Sequence, residues 1–141
     1  MKTTTILLRI LVGALFVFGA VAYFLNLFTA PELTGDMKTF NDGLEASGYL
    51  VPLIKAIELI CGIAFLTGRF IPLAVVVIFP IVVNIVAVHI FLTPEGLAVA
   101  LFLLFSTLFL AYRNKHHYES LFVIKSLPSP HHAKDGSISL P

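Results

Sequence analysis

Four apolar runs divide the chain. They are ILLRILVGALFVFGAVAYFLNLF (Ile6 to Phe28), VPLIKAIELICGIAFLT (Val51 to Thr67), IPLAVVVIFPIVVNIVAVHIFL (Ile71 to Leu92) and LAVALFLLFSTLFLAY (Leu97 to Tyr112). A helix that spans a bilayer needs about 20 apolar residues, with roughly 17 to 25 the usual range. The first and third runs meet this easily, and the second and fourth sit at its short end. At ~1.5 Å per residue the fourth is only about 24 Å long. It would reach across by drawing in Glu95, Gly96 and Arg113 or by thinning the bilayer locally. The TPEG between runs three and four leaves room only for a chain reversal. The pattern predicts an all-α membrane protein: a bundle of four transmembrane helices over residues 1–112 with spans near 6–28, 51–67, 71–92 and 97–112. A largely disordered tail is expected over residues 113–141. The first run is longer than the ~7 to 15 residue core of a signal peptide. NLFTAPEL after it has no small-x-small cleavage site, so the run is expected to stay as a first helix.

Composition agrees with this class. Of 141 residues, 58% are hydrophobic and 12% charged, against about half and a quarter in soluble domains. A net charge of +1 gives no basic excess for nucleic acid. Charge placement is more informative than the sum. With four crossings, Lys2, Arg9, Arg69, Arg113, Lys115, Lys125 and Lys134 share one side. Lys38 is alone on the other, with Glu32, Asp36, Asp42 and Glu45. The positive-inside rule then puts both termini in the cytoplasm and the long loop 29–50 outside. Within that loop, MKTFNDGLEASGYL can be a solvated connector or a short interfacial helix with Met37, Phe40, Leu44 and Tyr49 toward lipid. Tyr118 and the basic residues of RNKHHYES suit a headgroup surface. The doublets His116-His117 and His131-His132 belong to the tail, where no fixed scaffold holds a metal, and no metal site is expected.

Polar residues inside the runs collect in the outer half. Lys55 lies about one turn and Glu58 about two turns from the outer end of the second run. In the third run, which points the other way, His89 lies about one turn from the outer end and Asn84 more than two. Tyr23 and Asn26, three apart, leave the first run on one face. An ionisable group within a span is costly and is by default a functional candidate. Lys55 and Glu58 form an i, i+3 pair that either ties the helices together structurally or supplies a proton-active carboxyl and a ligand contact. Asn84 and His89 are five apart, about 500° of helix, so they point roughly 140° from each other. Only a distortion, such as one at Pro80, would bring both to Glu58. His89 alone fits a hydrogen-bonded helix end at least as well as a base. Gly13, Gly19, Ala20 and Gly62 fit close helix contact. Cys61, the one cysteine, can form no intramolecular disulfide and fits small-residue packing.

RILVGALFVFGA in the first run, ELICGIAFLTGRFIPLA across the second turn and NIVAVH in the third run together resemble the DoxX family of small bacterial membrane proteins. The resemblance covers about Ile6 to Tyr112 and rests on the order and spacing of Glu58, Gly62, Gly68 and Arg69. It implies a four-helix protein of the bacterial inner membrane. Its naming members are subunits of a thiosulfate:quinone oxidoreductase, and others are linked to membrane complexes that handle thiols. Two departures matter. Cys61-Gly62 stands where the family commonly has a glycine pair. GAVAYFLNLF carries Tyr23 and Asn26 and lacks the lysine that many members have late in the first helix, a place Lys55 would have to fill in space.

Three functions follow as expectations. The first is an accessory subunit of a membrane oxidoreductase linked to quinone or thiol/sulfur redox chemistry. It would have no intrinsic cofactor, with quinone as ligand, and a membrane or peripheral redox protein as partner. The second is a transporter or binder of a small organic or lipid-like molecule. The third is a non-catalytic scaffold in the lipid bilayer, with a homo-oligomer left open. The chain is not expected to be an enzyme on its own. With His89 the single histidine in a span, two axial ligands for a buried haem are lacking. The site candidates are Glu58, Lys55, His89, Asn84, Tyr23 and Asn26.

Overall fold

A computed structural model describes residues 2–28 and 32–119. Among them the chain forms α1 (Lys2–Phe24), α2 (Gly35–Ala46), α3 (Leu50–Thr67), α4 (Ile71–Phe91), α5 (Leu97–Arg113) and a short 3-10 turn, Lys115–His117. The fold is all-helical over the described residues. α1, α3 and α4 are long and apolar enough to cross a membrane, whereas α5 is a shorter apolar helix of 17 residues. α1 packs on α3, α3 on α4, α4 on α5 and α5 back on α1, closing a ring, while α2 leans against α3.

The interior is narrow and apolar. Val12 and Phe16 of α1 meet Phe65 of α3, Ile78 and Val82 of α4, and Leu103 and Leu110 of α5. Phe16 and Phe65 stack tilted, with centroids 6.4 Å apart. The outer faces are apolar too, with Ile60, Leu73 and Phe105 each more than 60% exposed. A helix apolar on all sides belongs in a hydrocarbon solvent. The closest approach is between α1 and α3. A Cβ on Gly13 would lie 2.9 Å from the Gly62 carbonyl oxygen, and one on Gly62 would lie 2.8 Å from Val17 Cγ2. Gly19 has nothing within 4 Å of such an atom and plays no part in this contact.

Local chemistry sets each boundary. α1 begins four residues before the expected Ile6, because Lys2 and Thr3 to Thr5 continue the helix. It stops at Phe24 because Asn26 takes a left-handed conformation (φ 49°) and Leu27 N–H closes on Ala22 O at 3.0 Å. Asparagine tolerates that conformation at a helix end, and the closure satisfies a carbonyl that would otherwise be orphaned. Asn26 is therefore a helix stop. α3 ends the same way at Gly68 (φ 76°), with both Gly68 N–H and Arg69 N–H on Ala64 O. Phe70 is also left-handed (φ 57°), a costly state for an aromatic residue, and it turns the chain sharply into Pro72 at the start of α4. Pro94 blocks extension of α4. At the far end Tyr118 is drawn inward, donating from its hydroxyl to Pro72 O at 3.1 Å and packing on the core. This burial pushes its phenol above the ordinary value, keeping it a neutral donor.

Candidate functional site

α3 carries the site on its inward face. Glu58, Cys61, Gly62 and Phe65 recur at helical spacing and are all buried. Glu58 is 4% exposed, a rare degree of burial for a carboxylate. Its charge is met within the same helix: Lys55 Nζ donates to Glu58 Oε2 at 2.8 Å. The two ends of this pair differ. The Glu58 side chain is 6% exposed and that of Lys55 28%, so the ammonium stands toward the opening with its stem along the helix. One carboxylate oxygen and the remaining ammonium protons keep hydrogen-bonding capacity.

Above this pair is a cleft of about 550 Å³ between α2, α3 and α4. Lys55 and Glu58 line it from α3, Pro80 and Asn84 from α4, and Phe40 and Asn41 from α2. Such a volume lies within the ~300–1,000 Å³ of small-molecule sites. The walls are mostly apolar, with a few polar side chains among them.

α2 explains the roof. Met37, Phe40 and Leu44 lie on one face at i, i+3, i+7 and point into the cleft. On its other side Lys38 pairs with Asp42 at 2.5 Å, while Asn41, at the edge of the cleft, donates to Glu45 at 2.8 Å. The sequence left open a solvated connector or a helix with its apolar stripe toward lipid; the segment is a helix whose stripe lines the cleft beside Glu58 and Lys55. Ser47 fixes the joint to α3, donating to Leu44 O at 2.6 Å and accepting from Leu50 N–H at 3.0 Å. Tyr49 remains exposed.

Lys55, Glu58 and Asn84 are thus brought together, and the other candidates are not. His89 turns away from Asn84 and sits under the α4–α5 turn. Its Nδ1 faces Thr93 O at 3.0 Å, and since a carbonyl only accepts, Nδ1 carries the proton. The ring packs so closely on Gly96 that a Cβ there would lie 2.9 Å from His89 Cε1. Tyr23 is 38% exposed and stacks edge-on with Phe24, centroids 5.3 Å apart. Neither Tyr23 nor Asn26 lines the cleft. Cys61 is buried and lies deeper along α3.

Among the described residues no group of three His, Cys, Asp or Glu side chains could hold a metal ion. His116 pairs with Glu119 at 3.1 Å on the surface, while His131, His132, Lys125 and Lys134 lie outside the described residues. Ile81 of α4 completes the cleft without having stood out in the sequence, whereas Met37 and Phe40 were already marked by their spacing. That apolar i, i+3, i+7 spacing in α2 gave no direction.

The arrangement can seat a molecule with an apolar body and a polar edge. Lys55 and Asn84 can donate to an oxygen, and Glu58 can accept or exchange a proton. A family model, DoxX, matches residues 4–92, from α1 through α4. No curated protein and no solved structure matches the chain.

Proposed function

Because this chain belongs to the DoxX family, we propose that it is an accessory subunit of a membrane oxidoreductase that seats a quinone in the cleft beneath α2 for a redox partner. In this reading α5 is the fourth crossing, and both termini face the cytoplasm of a bacterial inner membrane. The cleft and α2 face outward, in keeping with the basic residues at the opposite end.

One observation carries the reading: the Glu58–Lys55 pair, its carboxylate buried, gives a polar edge to a mostly apolar cleft of about 550 Å³ that Asn84 also lines. The fit to a quinone is chemical. Its ring and isoprenoid tail would meet Phe40, Leu44, Pro80 and Ile81, and a ring oxygen would meet Lys55 and Asn84. A bound quinone supplies two-electron, two-proton redox chemistry, and the electrons come from the partner. The residues of the chain have separate tasks. Lys55 donates to the oxygen, Glu58 holds Lys55 in place and exchanges a proton at its carboxylate, and α2 keeps water from the pair. None of these tasks uses Cys61, buried below the cleft.

Equilibrium dialysis of the purified full chain in detergent with decylubiquinone tests the reading. Saturable 1:1 binding is expected. Glu58→Gln should weaken it roughly 10- to 100-fold, the worth of one charge-assisted hydrogen bond of ~1.5–3 kcal/mol. Equal binding by wild type and Glu58→Gln would remove the quinone from this cleft.

A further inference from the structure

The opposite end of α3 has a second feature that shares no residue with the cleft. Arg9 lies seven residues into α1, yet its guanidinium rests against Gly68 at the α3–α4 turn. The left-handed glycine makes the space, since a side chain at residue 68 would occupy the position of the guanidinium. Arg9 Nε is buried and has no hydrogen-bond partner. Among the described residues neither Arg9 nor Arg69 joins an ion pair. Glu119, the described acid on this side of the bundle, is engaged with His116. An arginine does not shed its charge at any physiological pH. A permanent cation at the edge of hydrocarbon with an unfilled donor calls for an anion.

Directly after Gly68, Arg69 stands at the rim of a groove of about 440 Å³ that runs between α3 and α4. Ile60, Ile63, Ala64, Leu73 and Val77 form its walls. The polar group at its mouth, Thr67, donates its hydroxyl back to Ile63 O at 2.9 Å and so presents no donor to the groove. From Thr67 down to Ile60 is seven residues, about 10 Å into the bilayer. The groove opens sideways, on the surface that faces lipid.

We propose that this end of the bundle is a specific site for one anionic glycerophospholipid, with its phosphate over the α3–α4 turn between Arg69 and Arg9 and an acyl chain in the groove. Guanidinium groups bind phosphate through paired N–H donors, with strength and geometry that an ammonium does not match. Lipid tails are as apolar as leucine, so the groove adds little affinity through burial. Its contribution is shape: it seats one chain and thereby holds the phosphate at the turn. A small soluble anion would gain nothing from such walls. Anionic lipid is abundant in the leaflet that basic residues face.

The test is native mass spectrometry of the full chain released from detergent after exposure to dioleoyl phosphatidylglycerol, to the matching phosphatidylcholine, or to inorganic phosphate. The wild type is expected to retain a single phosphatidylglycerol and neither of the other two. Arg69→Gln should cut retention at least tenfold. Val77→Phe, which fills the groove from an exposed position with both arginines intact, should do the same. Arg113→Gln removes a basic residue outside the groove and should leave retention unchanged. Should Arg9→Gln fail to fold, Arg69→Gln and Val77→Phe decide the matter, since both positions are exposed. Equal retention of phosphatidylcholine, retention of free phosphate, or an equal loss in Arg113→Gln would overturn the site.

Discussion

Replacing Gly62 by alanine tests the contact on which the bundle is built. The new Cβ would lie 2.8 Å from Val17 Cγ2, 3.0 Å from Gly13 O and 3.0 Å from Val17 N. Two of these three neighbours are backbone and cannot rotate aside. Carbon atoms sit comfortably at about 3.5–4.0 Å, so Val17 must swing its Cγ2 aside and α1 must still retreat by a few tenths of an ångström from the two backbone contacts. Overpacking of this kind costs about 1–3 kcal/mol. Alanine's better helix propensity offsets up to ~1 kcal/mol of that. Gly19→Ala is the matched control: it has the same propensity gain on α1, and its new Cβ meets nothing within 4 Å. The two variants should therefore differ by about 1–3 kcal/mol, with Gly62→Ala below wild type or near it and Gly19→Ala above it. Unfolding in mixed detergent and sodium dodecyl sulfate micelles, followed by far-ultraviolet circular dichroism, gives the difference directly. A Gly62→Ala protein as stable as Gly19→Ala would refute the close approach of α1 and α3.

Three further outcomes are expected. Lys55→Met strips Glu58 of its partner and should cost about 3 kcal/mol in the same unfolding assay, whereas Lys55→Met with Glu58→Gln recovers most of that loss; simple additivity would deny that the two are coupled. His89→Ala removes the hydrogen bond to Thr93 O and the packing on Gly96, and should lower stability by about 1 kcal/mol with decylubiquinone affinity unchanged; a drop in affinity would return His89 to the ligand site. In a Cys61→Ala background, a membrane-impermeant maleimide applied to intact cells should label a cysteine placed at Asp42 and spare one placed at Thr3. The reverse labelling would invert the proposed orientation.

The periodicity and length of the apolar runs located α3, α4 and α5 to within a residue or two, because a long unbroken apolar run satisfies its backbone within itself as a helix and so announces itself by composition. The ends of α1 were less legible. Threonines are neutral in hydropathy yet continue a helix, and the stop at Phe24 depends on one asparagine in a left-handed state. Angular arithmetic on five residues separated Asn84 from His89, and the geometry sends them to different places. The same arithmetic could not say what lies opposite α2. Whether Met37, Phe40 and Leu44 meet lipid or cover Glu58 depends on how the joint at Ser47 aims the helix, a tertiary matter. Gly13, Gly19 and Gly62 looked alike in the sequence, and only the distance between α1 and α3 distinguishes them. The unpaired state of Arg9 required knowing where Glu119 points.

The Glu58–Lys55 edge of the cleft is proposed to hold a quinone in the membrane. Solvent extraction of the protein purified from its own membranes, with quinone counted per chain by liquid chromatography and mass spectrometry, tests this most directly. Wild type and His89→Ala should carry quinone at a similar, near-stoichiometric level, and Glu58→Gln and Lys55→Met should carry about a tenth of it or less. Equal quinone in all four proteins, or none in the wild type, would contradict the claim.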